Sequence, residues 1–237
     1  MPKVLVLYVF HIVNDRVKYF IEKCMFEDSA IHFILISNGN NNFYCPPYAK
    51  KLVRKNIGYD FGGWSEGVIK DHLYNKYDRY IFVNSSVIGP FMPPCYNRWT
   101  DLYINGLKGN IKLFGSTINT INDPINKSHV QSYIFAMDKI TLRYLIDSNL
   151  FSLTNHAKTF REAIVKKEIL MSRLIIKKGW NIGSLFKYYD GVDFTFSNKK
   201  PKDYNFKFLN DIMYDRYKNS IWKLDELVFV KGNRVNY

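Results

Sequence analysis

Cysteine is scarce in this chain and unsuited to metal. Cys24, Cys45 and Cys95 are its three cysteines in 237 residues. An odd, scattered set excludes a disulfide framework and a zinc module, and it suggests ordinary packing in a reducing, cytoplasmic setting. Long apolar runs are missing too. No stretch reaches 18 uninterrupted apolar residues, so no membrane span is expected. The apolar start Val4-Leu5-Val6-Leu7-Tyr8-Val9-Phe10 is followed by no small-residue cleavage site. It runs on into Asp15, Arg16 and Lys18, and so reads as a first core strand, not a signal peptide. There is no repeat, nucleophile elbow, Walker loop, HExxH or zinc CxxC motif, which removes the readings those motifs carry.

Positive charge, by contrast, is plentiful. Lys and Arg number 34 against 21 Asp and Glu, a formal net charge of +13. That balance suits an anionic partner such as nucleic acid, an acidic membrane surface or a phosphorylated substrate. The lysines are spread along the chain, however, and no nucleic-acid-binding motif accompanies them, so no specific nucleic-acid partner is expected. Abundant Lys, Asn, Ile, Tyr and Phe also fit AT-rich coding DNA, as in a virus, in which case the compartment is the host cytoplasm. With 47% hydrophobic residues, one domain over 1–237 can bury a full core.

The first half alternates β-rich runs with helical patterns, which predicts an α/β fold with a mostly parallel central sheet flanked by helices. Strands are expected at 3–9, 31–36, 79–83, 111–114 and 132–137. Helices are expected at 14–24, 63–77, 138–147 and 159–178, the last ended by Gly179. Ser37 to Asn42 is a loop, Asp190-Gly191 a turn, and residues 196–237 a mixed, basic C-terminal extension. Ligands of open α/β sheets bind at the carboxyl ends of the strands. Ser37-Asn38-Gly39, Asn56 to Trp64 and Asn84-Ser85-Ser86 all fall at such ends and can line one cleft.

Three clusters carry candidate chemistry. In Arg54-Lys55-Asn56-Ile57-Gly58-Tyr59-Asp60-Phe61-Gly62-Gly63-Trp64 the glycines permit tight turns and close approach to a ligand. Asp60 can cap a helix beginning near Gly63, whose free amides suit phosphate. A plain glycine loop with a helix cap explains the same residues. Asn84-Ser85-Ser86, at the end of a buried strand, offers oxygens to a hard cation or a diphosphate, or is simply a polar turn before the prolines. On the long helix Glu168 shares a face with Phe160, Ile164, Met171 and Ile175. Partial burial there would raise its pKa and suit it to general-base work, while a structural ion pair is the competing reading. His129 enters a strand at the cleft edge, where it could touch acceptor or metal. The other histidines have no metal-ligand spacing.

These segments resemble glycosyltransferases of the GT-A fold, in particular the rhamnan synthesis protein F type and related proteins of algae, fungi and large DNA viruses. The resemblance rests on RKNIGYDFGGW (54–64), YIFVNSSVIGPFMPP (80–94), KLFGSTIN (112–119), HVQSYIFAMDK (129–139) and KEILMSRLIIKKGWNI (167–182). It implies a Rossmann-like donor nucleotide-binding half at 1–90 and an acceptor or catalytic half at 91–195. The donor is then a nucleotide-diphosphate sugar of UDP or GDP type, and the acceptor a glycan or glycoprotein. Asn38 would lie near the base, and Arg54, Asn56, Gly58 and Asp60 near ribose and diphosphate. Asn84, Ser85 and Ser86 fall where an Asp-x-Asp metal motif is placed, with no acidic residue to bind Mn²⁺ or Mg²⁺ tightly. His129 and Gln131 would edge the acceptor or metal, and Glu168 would be the base of an inverting transfer. The alternative implied by the acid-free motif is a non-catalytic nucleotide-sugar or glycan-binding module of the same fold.

Overall fold

The computed structural model describes residues 2–39 and 42–235, so Asn40 and Asn41 of the expected loop lie outside the described residues. Strand β1 (Val4–Phe10) is buried at every position. It is bonded in parallel to β2 (Ile31–Ser37) on one side and β4 (Arg79–Asn84) on the other, with β3 (Ala49–Val53) beyond β2. A strand covered on both faces and paired on both edges needs an unbroken apolar run, which is what residues 4–10 provide. Between β1 and β2, Asn14 caps helix α1 (Asp15–Tyr19) by accepting from the Val17 amide, and a wider π turn over Phe20–Cys24 comes next. Helix α2 (Tyr59–Ile69) connects β3 to β4.

Beyond β4 come a short strand β5 (Val87–Ile88), helix α3 (Trp99–Asn105), β6 (Ile111–Gly115), β7 (Ile118–Asn119), the single turn α4 (Pro124–Lys127), β8 (His129–Val130) and β9 (Ile134–Asp138). Asp138 caps α5 (Lys139–Asp147) by accepting from the Thr141 amide. The long helix is α6 (Phe160–Glu162), a π segment over Ala163–Ile169, and α7 (Leu170–Lys177), with Thr159 as its cap and Gly179 at φ +81° beyond its end. Strand β10 (Asn181–Ser184), the turn α8 (Leu224–Leu227) and β11 (Val230–Lys231) complete the order.

The central sheet has seven strands in the order β10-β6-β9-β4-β1-β2-β3. Only β9 is reversed: it is antiparallel to both β4 and β6, so β6 and β10 regain the direction of β1. The predicted mostly parallel α/β sheet is therefore present, with one opposed strand in its middle. That reversal brings the start of β9 to the same edge as the ends of β4, β1 and β6. Two small antiparallel pairs, β5 with β11 and β7 with β8, lie past that edge.

One helix is displaced from expectation. The helix expected at 63–77 runs from Tyr59 to Ile69, because Gly58 at φ +80° starts it four residues earlier. In the C-terminal extension, Phe208, Met213, Trp222, Phe229 and Val235 belong to the same buried cluster as β1. Lys167 on the π segment is also buried, its Nζ donating to the Leu150 and Asn155 carbonyls at 2.6 and 2.7 Å. Replacing it by methionine keeps the stem but strands two carbonyls. Lys167→Met should lower unfolding free energy by about 1–3 kcal/mol in urea denaturation.

Candidate active site

The edge where β4 ends and β9 begins opens into a cavity of about 400 Å³. Its lining includes Asp60, Asn84, Ser85, Ser86, Gln131, Ser132 and Glu168, together with Tyr59 and Phe160 on one wall and Lys231 and Arg234 on another. Residues separated by more than 100 positions in the chain thus share one space. A second cavity, under α1, is lined largely by apolar groups such as Phe20, Val87, Ile88 and Phe91, and offers no converging set of polar side chains.

Glu168 is held by partners at both carboxylate oxygens. Its Oε2 accepts from the Ser132 amide at 2.7 Å and from the Ser132 hydroxyl, and its Oε1 lies 3.6 Å from His129 Nε2. The side chain is 14% exposed. Burial raises its pKa, but the Lys231 charge, His129 and the two Ser132 hydrogen bonds outweigh that and hold it below the ordinary glutamate value. The expectation of a raised pKa is thereby corrected: the carboxylate is ionised and ready to accept a proton, with its basicity tempered by neighbours. His129 does not open onto the cavity. It is 2% exposed, its Nδ1 is bonded to the Lys127 carbonyl, and it stands behind Glu168. Gln131 does line the cavity, bonded to Thr117 and, at 3.4 Å, to Asp211.

Asp60 is less well served. Its Oδ2 accepts from Asn84 Nδ2 at 2.9 Å. Burial raises its pKa to about 6, the Asn84 hydrogen bond restrains the rise and the Glu168 charge adds to it. It is not the helix cap expected: α2 begins at Tyr59, with Gly58 in the cap position, so Asp60 sits in the first turn and lines the cavity with its Oδ2 held by Asn84.

The glycine block is explained by packing. Gly58 adopts a left-handed conformation beside His156, and a methyl group on Gly63 would come within 2.8 Å of Val9 Cγ2 and 3.0 Å of Asn38 Oδ1. Gly63 lies in the second turn of α2, so it offers no open helix end to a phosphate. Tyr59 comes after Gly58 at φ +55°, a strained conformation for a tyrosine, and its carbonyl accepts from Asn38 Nδ2. Arg54 completes this brace, donating to Asn38 Oδ1, Glu66 and the Ile57 carbonyl. Asn38, Arg54 and Asn56 line a separate shallow recess with His11. The residues expected to line one cleft are thus divided between two recesses.

The polar turn after β4 is equally engaged. Asn84 Oδ1 accepts from the Ser86 amide at 3.0 Å and the Ser86 hydroxyl at 2.5 Å, while the Ser85 carbonyl accepts from Arg16. For a divalent ion this donor set is poor. Asp60 is bonded to Asn84, and the Asn84 and Ser86 oxygens already serve one another. Among the described residues no group of three His, Cys, Asp or Glu side chains is arranged to hold a metal.

Ser132, Asn119, Asp211, Lys231, Asn233 and Arg234 line the cavity without having been singled out from sequence. Ser132 lies inside a block already recognised as informative. Asn119 likewise lies in the 112–119 block; Asp211, Lys231, Asn233 and Arg234 had no local signal, and the last three are brought in by the long-range pairing of β11 with β5.

Residues 44–214 match the family of rhamnan synthesis protein F, and the chain belongs to that glycosyltransferase-like family. It is 28% identical over 143 residues to virulence protein VirA of Vibrio anguillarum, covering 59% of this chain and 38% of that protein. To the uncharacterized protein y4gN of Sinorhizobium fredii it is 27% identical over 139 residues, 57% of this chain and 34% of that one. The chain therefore spans less than two fifths of these relatives. Among solved structures, a Bacillus anthracis protein assigned as a glucose-1-phosphate thymidylyltransferase, in complex with sucrose, aligns with a TM-score of 0.44 at 11% identity, covering 77% of this chain and 85% of that one. A glycosyltransferase involved in glycosylation of the major capsid of PBCV-1 gives 0.39 at 14%, covering 77% and 81%. Among the described residues no helix is long and apolar enough to cross a membrane.

The Asp60 shift has a thermodynamic consequence. A carboxylate whose folded pKa lies above its unfolded value stabilises the fold at low pH and loses that contribution as pH rises through the folded value. Asp60→Asn should therefore melt at a higher temperature than the native chain at pH 7, by at most about 3 kcal/mol of stability. The advantage should vanish as pH is lowered from about 6 to about 4, which thermal melts across that range will show.

Proposed function

We propose that this chain transfers a sugar from a nucleotide-diphosphate sugar to an acceptor hydroxyl, with inversion at the anomeric carbon. The single observation that carries the reading is the cavity in which Asp60, Asn84 and Glu168 meet, with an ionised glutamate on one side and cationic side chains on another. Family membership supports the reaction class.

In this reading Glu168 accepts the proton of the acceptor hydroxyl as that oxygen attacks the anomeric carbon. The new carbon–oxygen bond forms while the bond to the β-phosphate oxygen breaks, and its electron pair leaves with the nucleoside diphosphate. Ser132 fixes the carboxylate through two hydrogen bonds, so attack requires no reorientation of the base. Asp60 is an acceptor at neutral pH and is repelled by phosphate, which suits it to hydroxyls of the donor sugar, with Asn84 holding its orientation. The recess of Asn38, Arg54 and Asn56 would receive the nucleoside, with Asn38 and Arg54 acting through the shape of the Gly58-Tyr59 turn. Tyr59 and Phe160, whose rings lie 6.4 Å apart edge to face, form an aromatic wall for a sugar face.

Removing the base while keeping its shape separates catalysis from binding. Glu168→Gln should bind nucleoside diphosphates within about twofold of the native chain and lose at least about a hundredfold in donor hydrolysis or transfer. Both are measurable by calorimetry and by release of nucleoside diphosphate from a panel of nucleotide sugars. Unchanged turnover would remove Glu168 from this role. Binding of the panel with no product from the native chain would instead favour a non-catalytic module.

A further inference from the structure

The tail of the chain returns to the cavity by a defined route. Strand β11 pairs antiparallel with β5, Lys231 opposite Val87 and Val230 opposite Ile88. The next residue, Gly232, donates its amide to the Ser86 carbonyl at 2.7 Å. These bonds fasten the tail to the turn Asn84-Ser85-Ser86 and bring Lys231, Asn233 and Arg234 onto the wall beside it. Lys231 Nζ lies 5.5 Å from the Tyr133 ring centre, and the Arg234 guanidinium lies 4.9 Å from that of Tyr214. Both cations therefore rest against aromatic faces, and among the described residues neither is in an ion pair. Lys231 also acts on Glu168, whose pKa its charge lowers, while the Arg234 guanidinium faces the cavity without an ion-pair partner. With no carboxylate group arranged to hold a metal among the described residues, two cations on this wall suit an anionic occupant.

The chemistry of the opposite partner fits. A departing nucleoside diphosphate gains charge on its β-phosphate as the glycosidic bond breaks, and something positive must lie there to stabilise it. One divalent ion would bring two positive charges, and so do one lysine and one arginine. Arginine adds a planar fork matched to phosphate oxygens, whereas lysine acts as a compact point charge. We propose that Lys231 and Arg234 together take the place of a divalent cation, so that this cavity binds and releases a nucleoside diphosphate without metal. The inference rests on the transferase reading of the cavity and specifies how its leaving group is held. The tail is then part of the donor site, delivered by the β5–β11 pairing.

Titration of the whole chain with uridine, guanosine, thymidine and adenosine diphosphates tests this, once in EDTA and once in MnCl₂. At least one should bind in EDTA with an affinity within about threefold of that in Mn²⁺, and binding should weaken steeply with added salt. Lys231→Ala and Arg234→Ala should each weaken it at least tenfold, whereas Lys108→Ala, which removes an exposed lysine outside the cavity lining, should not. Arg234→Lys should recover part of the loss. Binding that appears only with Mn²⁺, or a double alanine variant that binds like the native chain, would overturn the proposal and leave the transferase reading intact. The EDTA comparison needs no variant, so it decides even if a substitution unfolds the tail. If no diphosphate binds the folded chain with or without Mn²⁺, the transferase reading falls with it.

Discussion

Asp60 and Glu168, two of the three carboxylates that line the cavity, are poorly solvated, and much of the surrounding architecture is the means by which their charge is tolerated. Burying an ionised carboxylate is costly unless hydrogen bonds or opposite charge replace the lost water. Glu168 receives both: an amide and a hydroxyl from Ser132, His129 behind it and the Lys231 charge nearby. Asp60 receives one amide hydrogen bond from Asn84 and feels Glu168 as a like charge. The asymmetry pushes the two groups in opposite directions from their ordinary values, which is the arrangement that assigns different roles to paired carboxylates. Each partner arrives through a distinct topological feature. Ser132 comes from the turn into the reversed strand β9, His129 from β8, Asn84 from the end of β4, and Lys231 from the returning tail.

The glycine block shows the same economy of space from the other side. Gly63 lets α2 settle against Val9 on β1 and the Asn38 side chain, and Gly58 with Tyr59 turns the chain into that helix through two left-handed residues. The Arg54–Asn38–Tyr59 brace stabilises that turn. Since Asp60 is the next residue, the brace fixes where a cavity-lining carboxylate sits. A block that reads as a phosphate loop is thus a helix seat, and it carries Asp60 into the cavity lining.

How far all this could be read in advance depended on whether the signal was local. Strands β1, β2 and β4 are continuous apolar runs, and the caps at Asn14, Asp138 and Thr159 mark their helices directly. Strand β3 escaped notice because it lies at the sheet edge, where Lys50 and Lys51 are exposed and break the apolar pattern. The reversal of β9 was invisible because hydrophobic pattern carries no strand direction. Asp60, Asn84 and Glu168 were legible as unusual residues at strand ends or on an apolar helix face, and they do meet. Lys231 and Arg234 were not, since two basic residues in a basic tail look like solvated charge until β11 finds β5.

The least expected feature is the π segment that carries Glu168. Phe160, Ile164, Met171 and Ile175 keep one face only if the helix holds 3.6 residues per turn throughout. The π segment at Ala163–Ile169 interrupts that period, leaving Phe160 69% exposed at the cavity mouth while Met171 and Ile175 are fully buried. An extra residue in a turn rotates the remainder of the helix by about 100°, a change large enough to move a side chain from core to cleft. Neighbouring Lys167 and Glu168 then reach opposite destinations: the lysine the Leu150 and Asn155 carbonyls, the glutamate Ser132. A regular helix set by the apolar positions alone would direct Glu168 with the core side chains. The helix gives up ideal pitch over these residues, and both buried charges find partners as a result. Irregular helices at sites of chemistry arise from this kind of competition between regular bonding and the need to aim a charge.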